Sequence, residues 1–183
     1  MIVFDLDGTL ADCSHRRHFV DPRCNPDYEN KPQPFDWTDP TTSYIDHWVN
    51  KKTNKEDWKP DWKAFFEACD KDTLIFPVAD LYETLWIEND YDDDFEIWSG
   101  RCESVRNKTK KWLKKHAIFY TKLKMRPIGD NTPDDQLKMK WLDEAIAEGK
   151  TIDFVFDDRP KVVRAWRKRG VFVFNCLQGE GEF

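Results

Sequence analysis

Two carboxylates stand close together near the start of the chain, directly after the short apolar segment Ile2-Val3-Phe4. Asp5 and Asp7 belong to the sequence Asp-Leu-Asp-Gly-Thr. Residues i and i+2 of a strand point to one side, and Gly8 allows the chain to turn sharply. One carboxylate can therefore attack a phosphorus atom while the other protonates the leaving oxygen and later activates water. The same pentapeptide also fits a simple Asx turn, so its chemistry depends on its neighbours.

A second acidic pair ends another apolar segment, Phe154-Val155-Phe156. Asp157 and Asp158 are adjacent in the sequence, and two neighbouring carboxylates repel each other unless a cation offsets their charge. Because Mg²⁺ prefers oxygen ligands, this pair predicts a magnesium site. The cation would neutralise a bound phosphate near Asp5. A helix N-cap ahead of Pro160 also explains the pair, and it does not exclude a metal.

Two further segments contain groups suited to holding a phosphate. Ser99 and Gly100 follow an apolar run and offer a hydroxyl group and a backbone N–H, and Lys138 stands one turn into a predicted helix. Taken alone, Ser-Gly is a common strand-to-helix turn, and a single lysine is commonly a surface residue. Their order along the chain, between the two acidic segments, favours a shared site.

The elements that must position these residues are strands separated by helices. Short apolar runs alternate with segments of helical periodicity, which predicts an α/β fold with a parallel sheet and crossover helices. Since ligands bind at the carboxyl ends of parallel strands, we expect the acids, the serine and the lysine to meet at one edge. The predicted strands are Ile2–Phe4, Phe95–Trp98, Phe119–Met125, Ile152–Phe156 and Val171–Phe174.

Four predicted helices each have an apolar face. Three of them have a proline at the predicted start, where the missing N–H costs nothing, namely Pro77, Pro133 and Pro160. The apolar faces comprise Val78, Leu81, Tyr82, Leu85 and Trp86; Val105, Thr109, Trp112, Leu113 and His116; Leu137, Trp141 and Ala145; and Val162, Val163 and Trp166.

Residues 12–74 do not follow this alternation and are rich in proline, aspartate, asparagine and aromatic residues. We predict that they form a cap-like insertion, and that 1–11 and 75–183 form the core. The aromatic residues favour a small packed cap over a base-stacking platform. Four of the nine tryptophans lie here, at positions 37, 48, 58 and 62. Helical spacing predicts an amphipathic helix through Trp58, Trp62, Phe65, Phe66 and Cys69.

Composition limits the class of protein. The 183 residues fit one domain with an insertion. Five cysteines without a CxxC pair indicate a reduced, cytoplasmic setting, and the sequence has neither a signal peptide nor an apolar membrane span. No obligate protein partner is evident.

Charge is distributed unevenly along the chain, whose net charge is −6. Residues 101–126 contain ten Lys/Arg and one acid, whereas residues 57–96 contain thirteen acids and three Lys. One surface is therefore expected to be basic, although a solvated helix face explains the same pattern.

The four polar segments, in this order, resemble the signatures of the haloacid dehalogenase (HAD) phosphatase superfamily. The resemblance implies a Rossmann-like sheet, with Asp5 as nucleophile and Asp7 as general acid and base. Ser99, Gly100 and Lys138 would contact the phosphate. Mg²⁺ would be held by Asp5, by the main-chain carbonyl of Asp7, and by Asp158 with Asp157 as its support.

A closer resemblance is to the 3′-phosphatase domain of phage-type polynucleotide kinase/phosphatase. It rests on Ser99-Gly100-Arg101, on Gly129-Asp130 with Asp134 and Lys138, and on Asp157-Asp158-Arg159. The resemblance implies that Arg16, Arg101 and Asp134 contact the substrate phosphate or order the active site. The sequence contains no GxxxxGK[ST] loop, so we expect a phosphatase without a kinase half.

The expected function is that of a Mg²⁺-dependent phosphomonoesterase that works through an aspartyl-phosphate on nucleotide substrates. Either a polynucleotide 3′-phosphate or a deoxynucleoside monophosphate fits, because the insertion can be open or closed over the site. The alternatives are a phosphate- or nucleic-acid-binding HAD module without turnover, and another HAD phosphotransfer reaction such as that of a mutase. A dehalogenase needs neither the acid at the position of Asp7 nor the acidic pair, so Asp7 and Asp158 argue against dehalogenase chemistry.

Overall fold

The structure of the chain is a computed structural model that describes residues 1–31, 48–88 and 94–177. Trp37, one of the four tryptophans of the predicted insertion, lies outside the described residues. The chain divides into two compact units, one of Met1–Cys13 with Cys69–Phe183 and one of Ser14–Ala68. Each unit is described by itself.

The strands and helices of the described residues follow one another along the chain with short 3₁₀ turns between some of them. The strands are β1 (Ile2–Phe4), β2 (Ala11–Asp12), β3 (Tyr28–Asn30), β4 (Trp48–Asn50), β5 (Thr73–Leu74), β6 (Phe95–Cys102), β7 (Lys122–Arg126), β8 (Phe154–Asp157) and β9 (Phe172–Asn175). The helices are α1 (Trp62–Glu67), α2 (Phe76–Glu88), α3 (Arg106–Lys115), α4 (Asp134–Ala147) and α5 (Pro160–Lys168).

The larger unit is built on a five-stranded sheet in the order β7-β6-β1-β8-β9, and every neighbouring pair is parallel. The predicted α/β fold with a parallel sheet is therefore confirmed. β1 lies in the middle, with Phe4 beside Ile97 on one side and Phe156 on the other. The strand ends that carry the predicted site residues consequently lie side by side.

Four of the five predicted strands differ in extent from the prediction, β8 and β9 by one or two residues at each end and β6 and β7 by three or more at one end. β6 continues through Cys102, with an irregular register between Ser99 and Cys102. β7 begins at Lys122 rather than Phe119, because the chain first has to close α3. Ala117 has a left-handed φ of 54°, and the N–H of Ile118 donates to the carbonyl of Leu113. This is a common way for a helix to end.

One face of the sheet packs against α4 and α5. Trp98 lies at the centre of this core, with its ring 5.9 Å from that of Trp141 and 5.7 Å from that of Trp166. The predicted apolar faces of both helices are buried here. The other buried members of the cluster are Met1, Val3, Leu137, Leu142, Ala145, Val155, Val162, Val163 and Val173.

The opposite face carries a row of phenylalanines that crosses three strands. Phe4 stacks on Phe156 with 4.2 Å between ring centroids, and Phe156 stacks on Phe174 at 4.7 Å. Tyr82 of α2 contacts Phe4 edge-on at 4.6 Å. The predicted apolar face of α2 is wrong at Leu81, which is 42% exposed. Tyr82, a member of the predicted face, is buried, and Ala79 is buried as well.

The predicted insertion begins and ends at a short antiparallel pair in the larger unit, in which Ala11 of β2 pairs with Leu74 of β5. The smaller unit, Ser14–Ala68, contains the antiparallel pair of β3 and β4 and the helix α1. The amphipathic helix predicted from Trp58 to Cys69 is shorter, because the Asp61 side chain accepts from the N–H of Ala64 and begins α1 at Trp62. Trp58 instead packs edge-on against Tyr28 at 5.0 Å.

Among the helices of the described ranges, none is long and apolar enough to cross a membrane.

The row of phenylalanines generates a prediction about stability. Phe4 is fully buried, whereas Phe172 lies on the edge strand and is 63% exposed. We expect Phe4→Ala to lower the free energy of unfolding by about 3–5 kcal/mol. Phe172→Ala removes the same atoms from an exposed site and should cost less than about 1 kcal/mol. Urea denaturation of both variants measures the difference, and equal losses would contradict the packing described.

Candidate active site

Three buried carboxylates meet at the carboxyl edge of the sheet. Asp5 follows β1 directly, Asp157 ends β8, and Asp158 comes next. The two strands are neighbours, and the N–H of Asp5 donates to the carbonyl of Phe156 at 2.9 Å. One carboxylate oxygen from each acid lies within 4.8 Å of the others. The parallel register therefore brings together acids that are about 150 residues apart in sequence.

Lys138 lies between two of these acids. It stands one turn into α4, is buried, and donates from Nζ to Asp5 Oδ1 and to Asp157 Oδ2, both at 2.7 Å. Burial alone would lower the pKa of this lysine, but the two carboxylates outweigh burial and raise it. The charged form of Lys138 is therefore favoured, and its contact holds Asp5 Oδ1 in place.

Asp158 differs from Asp157 in how its oxygens are used. Asp157 Oδ2 accepts hydrogen bonds from Lys138 and from Trp166 Nε1, the latter at 3.3 Å. Asp157 Oδ1 accepts a hydrogen bond from the N–H of Arg159 at 3.2 Å. Asp158 Oδ1 is buried and has no hydrogen-bond partner within the described part of the chain. A buried oxygen of this kind needs a cation or a donor. This difference favours Asp158 as a metal ligand and Asp157 as its support.

The electrostatics of the cluster fit a divalent cation. Burial, followed by the charges of Asp157 and Asp158, raises the pKa of Asp5 to about 8 despite the opposing effect of Lys138. Burial and Asp157 raise the pKa of Asp158 to about 7. A single lysine thus leaves three buried carboxylates with excess negative charge. Oxygen ligands in such a cluster suit Mg²⁺.

The turn after Asp5 packs closely against Asp158. Gly8 has a φ of +89°, and a Cβ at this position would lie 2.0 Å from Asp158 Oδ2. Only glycine fits here, both because of this contact and because of the left-handed conformation. The predicted sharp turn at Gly8 is confirmed.

Asp7 points to a different group of side chains. Its Oδ1 accepts from Arg101 Nε at 2.9 Å and also from Nη2, and the same Nη2 donates to Asp72 at 2.6 Å. Arg101 is completely buried, and Asp7 keeps 21% of its side chain exposed. Although burial lowers the pKa of Arg101, Asp7 and the other acidic groups outweigh it and raise the pKa. Of the two predicted roles for Arg101, this arrangement favours the ordering of the site.

The end of β6 is ordered by a second group of charges. Ser99 is buried, and its Oγ accepts from the N–H of Arg101 at 3.2 Å. The carbonyl of Gly100 accepts from Arg126 Nε at 3.1 Å, and a Cβ at position 100 would lie 2.9 Å from Asp134 Oδ1. Asp134 forms ion pairs with Arg126 and Arg159. Asp134 therefore connects the end of β6 near Gly100 to Arg126 and Arg159.

Arg16, the third predicted substrate residue, belongs to the smaller unit. It is buried, donates from Nη1 to the carbonyl of Phe65 at 3.2 Å, and lies with its guanidinium 4.1 Å from the Phe65 ring centroid. Its role toward substrate stays a prediction.

Several residues that organise the site were not predicted from the sequence. Asp72 binds Arg101, Arg126 binds Asp134, and Trp166 donates to Asp157. Arg126 gave a detectable signal, since it is a polar residue at the carboxyl end of a strand, as Ser99 is. Asp72 gave none, because nothing in its local sequence distinguishes it from other acids of that segment.

The unpaired oxygen of Asp158 generates a prediction about metal binding. Asp158→Asn removes one of three mutually repelling carboxylates. We therefore expect this variant to have a higher melting temperature than wild type in EDTA, by a few degrees for each ~1 kcal/mol gained. Added Mg²⁺ should raise the melting temperature of wild type and have little effect on the variant. Asp143→Asn, an exposed change on α4, is the control and should respond to Mg²⁺ as wild type does. An equal Mg²⁺ response in Asp158→Asn would contradict a metal site here.

The chain resembles known proteins in both sequence and fold. Residues 61–183, more than half of the chain, match the family described as "Polynucleotide kinase PNKP phosphatase domain". A protein of Autographa californica nuclear polyhedrosis virus, described as a bifunctional polynucleotide kinase/RNA ligase, is 35% identical over 100 residues. That match covers 54% of this chain but only 14% of the viral protein.

Three solved structures share the fold. "Structure of the Pnkp1/Rnl/Hen1 RNA repair complex" contains a chain with a TM-score of 0.62 and 23% identity, and the match covers 98% of this chain and 43% of that one. A hydrolase from Streptococcus pneumoniae TIGR4 has a TM-score of 0.51 and 17% identity, with 94% and 90% coverage. CbbY from Rhodobacter sphaeroides, in complex with phosphate, has a TM-score of 0.50 and 14% identity. The match covers 98% of this chain and 88% of that one.

The sequence match and the fold agree with the resemblance inferred from the four polar segments. The matched residues include Ser99, Lys138 and the acidic pair, whereas Asp5 and Asp7 lie before them. The structure places Asp5 within the same cluster as the acidic pair. The chain therefore belongs to the family of polynucleotide kinase PNKP phosphatase domains and is a phosphatase with the HAD fold.

Proposed function

We propose that the chain is a Mg²⁺-dependent phosphomonoesterase that uses Asp5 as its nucleophile and releases phosphate from a nucleic-acid 3′ end or a deoxynucleoside monophosphate. The observation that carries this proposal is the buried cluster of Asp5, Asp157 and Asp158 around Lys138. Such a cluster is costly to bury. Its position at the carboxyl edge of a parallel sheet, where ligands bind, supports a catalytic purpose.

In the proposed reaction, a carboxylate oxygen of Asp5 attacks the phosphorus atom and the bond to the leaving oxygen breaks. Asp7 gives a proton to the leaving alkoxide, so an alcohol departs and Asp5 carries the phosphoryl group. Asp7 then takes a proton from water, which attacks the same phosphorus and releases inorganic phosphate. Both residues return to their starting forms. The contact from Lys138 to Asp5 Oδ1 at 2.7 Å keeps the nucleophile in one orientation.

The remaining groups have supporting roles. Asp5, the main-chain carbonyl of Asp7, and Asp158 would hold Mg²⁺, which supplies neutralising charge for the phosphate when it is bound. Ser99, the N–H of Gly100, and Lys138 would hold the phosphoryl oxygens. Arg101 acts as a positioning residue, because its guanidinium is already bound to two carboxylates.

The relatives support a nucleic-acid end as the substrate in preference to a free nucleotide. The viral relative is described as a polynucleotide kinase/RNA ligase, and the solved complex is described as an RNA repair complex. This chain spans less than half of either matched protein. We further propose that residues 12–74 are a cap-like insertion in the core of 1–11 and 75–183, and that Arg16 contacts substrate.

A release assay with Mg²⁺ tests the proposed function. Wild type is expected to release phosphate from 3′-phosphorylated oligonucleotides faster than from 5′-phosphorylated oligonucleotides or free deoxynucleoside monophosphates. Asp5→Asn removes the nucleophile and should lower kcat at least about a thousandfold on every substrate. Asp143→Asn, an exposed carboxylate on α4, should retain wild-type turnover. Equal activity of wild type and Asp5→Asn, including equal inactivity, would refute the proposal.

The ion pairs of Arg101 generate a second prediction about turnover. Arg101→Lys keeps the charge, but a single ammonium cannot form both the contact with Asp7 and the contact with Asp72 in the same geometry. If Arg101 positions Asp7, we expect kcat to fall by about 10- to 100-fold with little change in KM. The pH dependence of kcat should also shift, because the ion pair between Asp7 and residue 101 changes. A rise in KM at unchanged kcat would instead indicate that Arg101 binds substrate directly.

A further inference from the structure

The outer side of α3 carries four lysines, Lys110, Lys111, Lys114 and Lys115, which we name the lysine face. All four are exposed. Within residues 1–31, 48–88 and 94–177, none of them forms an ion pair, whereas lysines elsewhere in the larger unit commonly do. Lys150, for example, binds both Asp94 (2.8 Å) and Glu96 (2.7 Å). The lysine face therefore concentrates positive charge that the described protein leaves unneutralised.

The opposite side of α3 is fixed to the site. Trp112 is buried and donates from Nε1 to the carbonyl of Asp72 at 2.8 Å. Thr109 is also buried and accepts from Arg101 Nη1 at 3.5 Å. Since Arg101 holds Asp7, one helix separates the catalytic edge from the lysine face. The diameter of an α-helix with its side chains is about 10–12 Å.

The spacing of the lysines matters energetically. The lysine face contains two i,i+4 pairs, Lys110 with Lys114 and Lys111 with Lys115. The two members of each pair lie about 6 Å apart along the helix axis. Like charges at this spacing destabilise a helix by roughly 0.2–0.5 kcal/mol per pair. The repulsion disappears when an anionic partner covers the row. In a chain with a net charge of −6, this local excess of positive charge is not a consequence of overall composition.

We propose that the lysine face binds the phosphate backbone of a nucleic-acid strand whose phosphorylated end occupies the site at Asp5. Successive phosphates of a nucleic-acid strand, about 3.4 Å apart along its axis, match a row of lysines better than a single phosphate does. The inference deepens the proposed function and rests on it, because it assigns the substrate to polynucleotides. A mononucleotide cannot reach both places.

The proposal predicts a dependence on strand length and salt. The logarithm of the binding constant falls linearly with the logarithm of the salt concentration, by about 0.7 for each phosphate that is neutralised on a single strand. For a strand that contacts all four lysines, this slope should therefore be more negative by roughly 3 than for a strand that contacts none. A 3′-phosphorylated 20-mer should therefore have a lower KM than a 3′-phosphorylated dinucleotide. The difference should shrink as salt is raised.

The test compares two variants that lose the same charge from different helices. One replaces Lys110, Lys111, Lys114 and Lys115 by Gln. The control replaces Lys140, Lys161, Arg167 and Lys168 of α4 and α5 by Gln. In the Asp5→Asn background, fluorescence anisotropy measures binding of a labelled 3′-phosphorylated 20-mer at several salt concentrations. In the active background, KM is measured for the 20-mer, for the dinucleotide and for p-nitrophenyl phosphate.

We expect the lysine-face variant to bind the 20-mer at least about tenfold more weakly, to lose roughly 3 from the salt slope, and to hydrolyse p-nitrophenyl phosphate as wild type does. The control variant should change much less. Equal losses in both variants, or unchanged binding in the lysine-face variant, would overturn the inference.

The two proposals fail in different ways. If wild type releases no phosphate from any substrate in Mg²⁺, the proposed function is wrong, while the anisotropy measurement still decides whether the lysine face binds a strand. If wild type is active on the 20-mer but indifferent to the lysine-face changes, the phosphatase assignment stands and only the further inference fails.

Discussion

The buried contact of Lys138 with Asp5 and Asp157 is the interaction on which the rest of the site depends. Burying three carboxylates costs several kcal/mol for each charge unless partners offset it. One ammonium group offsets part of that cost and leaves an excess of negative charge beside Asp158, whose Oδ1 has no partner in the part of the chain that the structure describes. The described protein groups therefore offset only part of the charge of these carboxylates, and the proposed Mg²⁺ would offset the rest. This charge links the stability of the fold to the chemistry that we propose.

The parallel sheet places this cluster without any special local structure. β1 and β8 are adjacent, so Asp5 and Asp157 come together simply because each follows its strand. The turn at Gly8 then separates the two acids of the first motif, since Asp5 faces Asp157 and Asp158 while Asp7 faces Arg101. Two carboxylates two residues apart thus have different partners. Such a separation is what a nucleophile and a proton-transfer group require, because each needs its own electrostatic environment.

The sequence predicted the sheet, the acids and Lys138 because their signal is local, with polar residues directly after apolar strands. It did not predict Asp72 or Arg126, whose roles come from pairing with residues 29 and 8 positions away, respectively. The start of β7 was misplaced because the apolar character of Phe119 reflects a contact with Trp86 rather than a strand. The predicted helix through Trp58 failed for a similar reason. Aromatic residues that pack in loops have no periodicity that distinguishes them from a helix face.

The stacked rings of Phe4, Phe156 and Phe174 have an evolutionary consequence. Two of them immediately precede Asp5 and Asp157, so the stacked rings pack directly beside the strand ends that present these acids. A smaller residue in one position would leave a gap next to the catalytic edge, and a larger residue elsewhere in the row could fill it. We therefore expect positions 4, 156 and 174 to covary among relatives, with their combined volume kept more constant than the identity of any one residue.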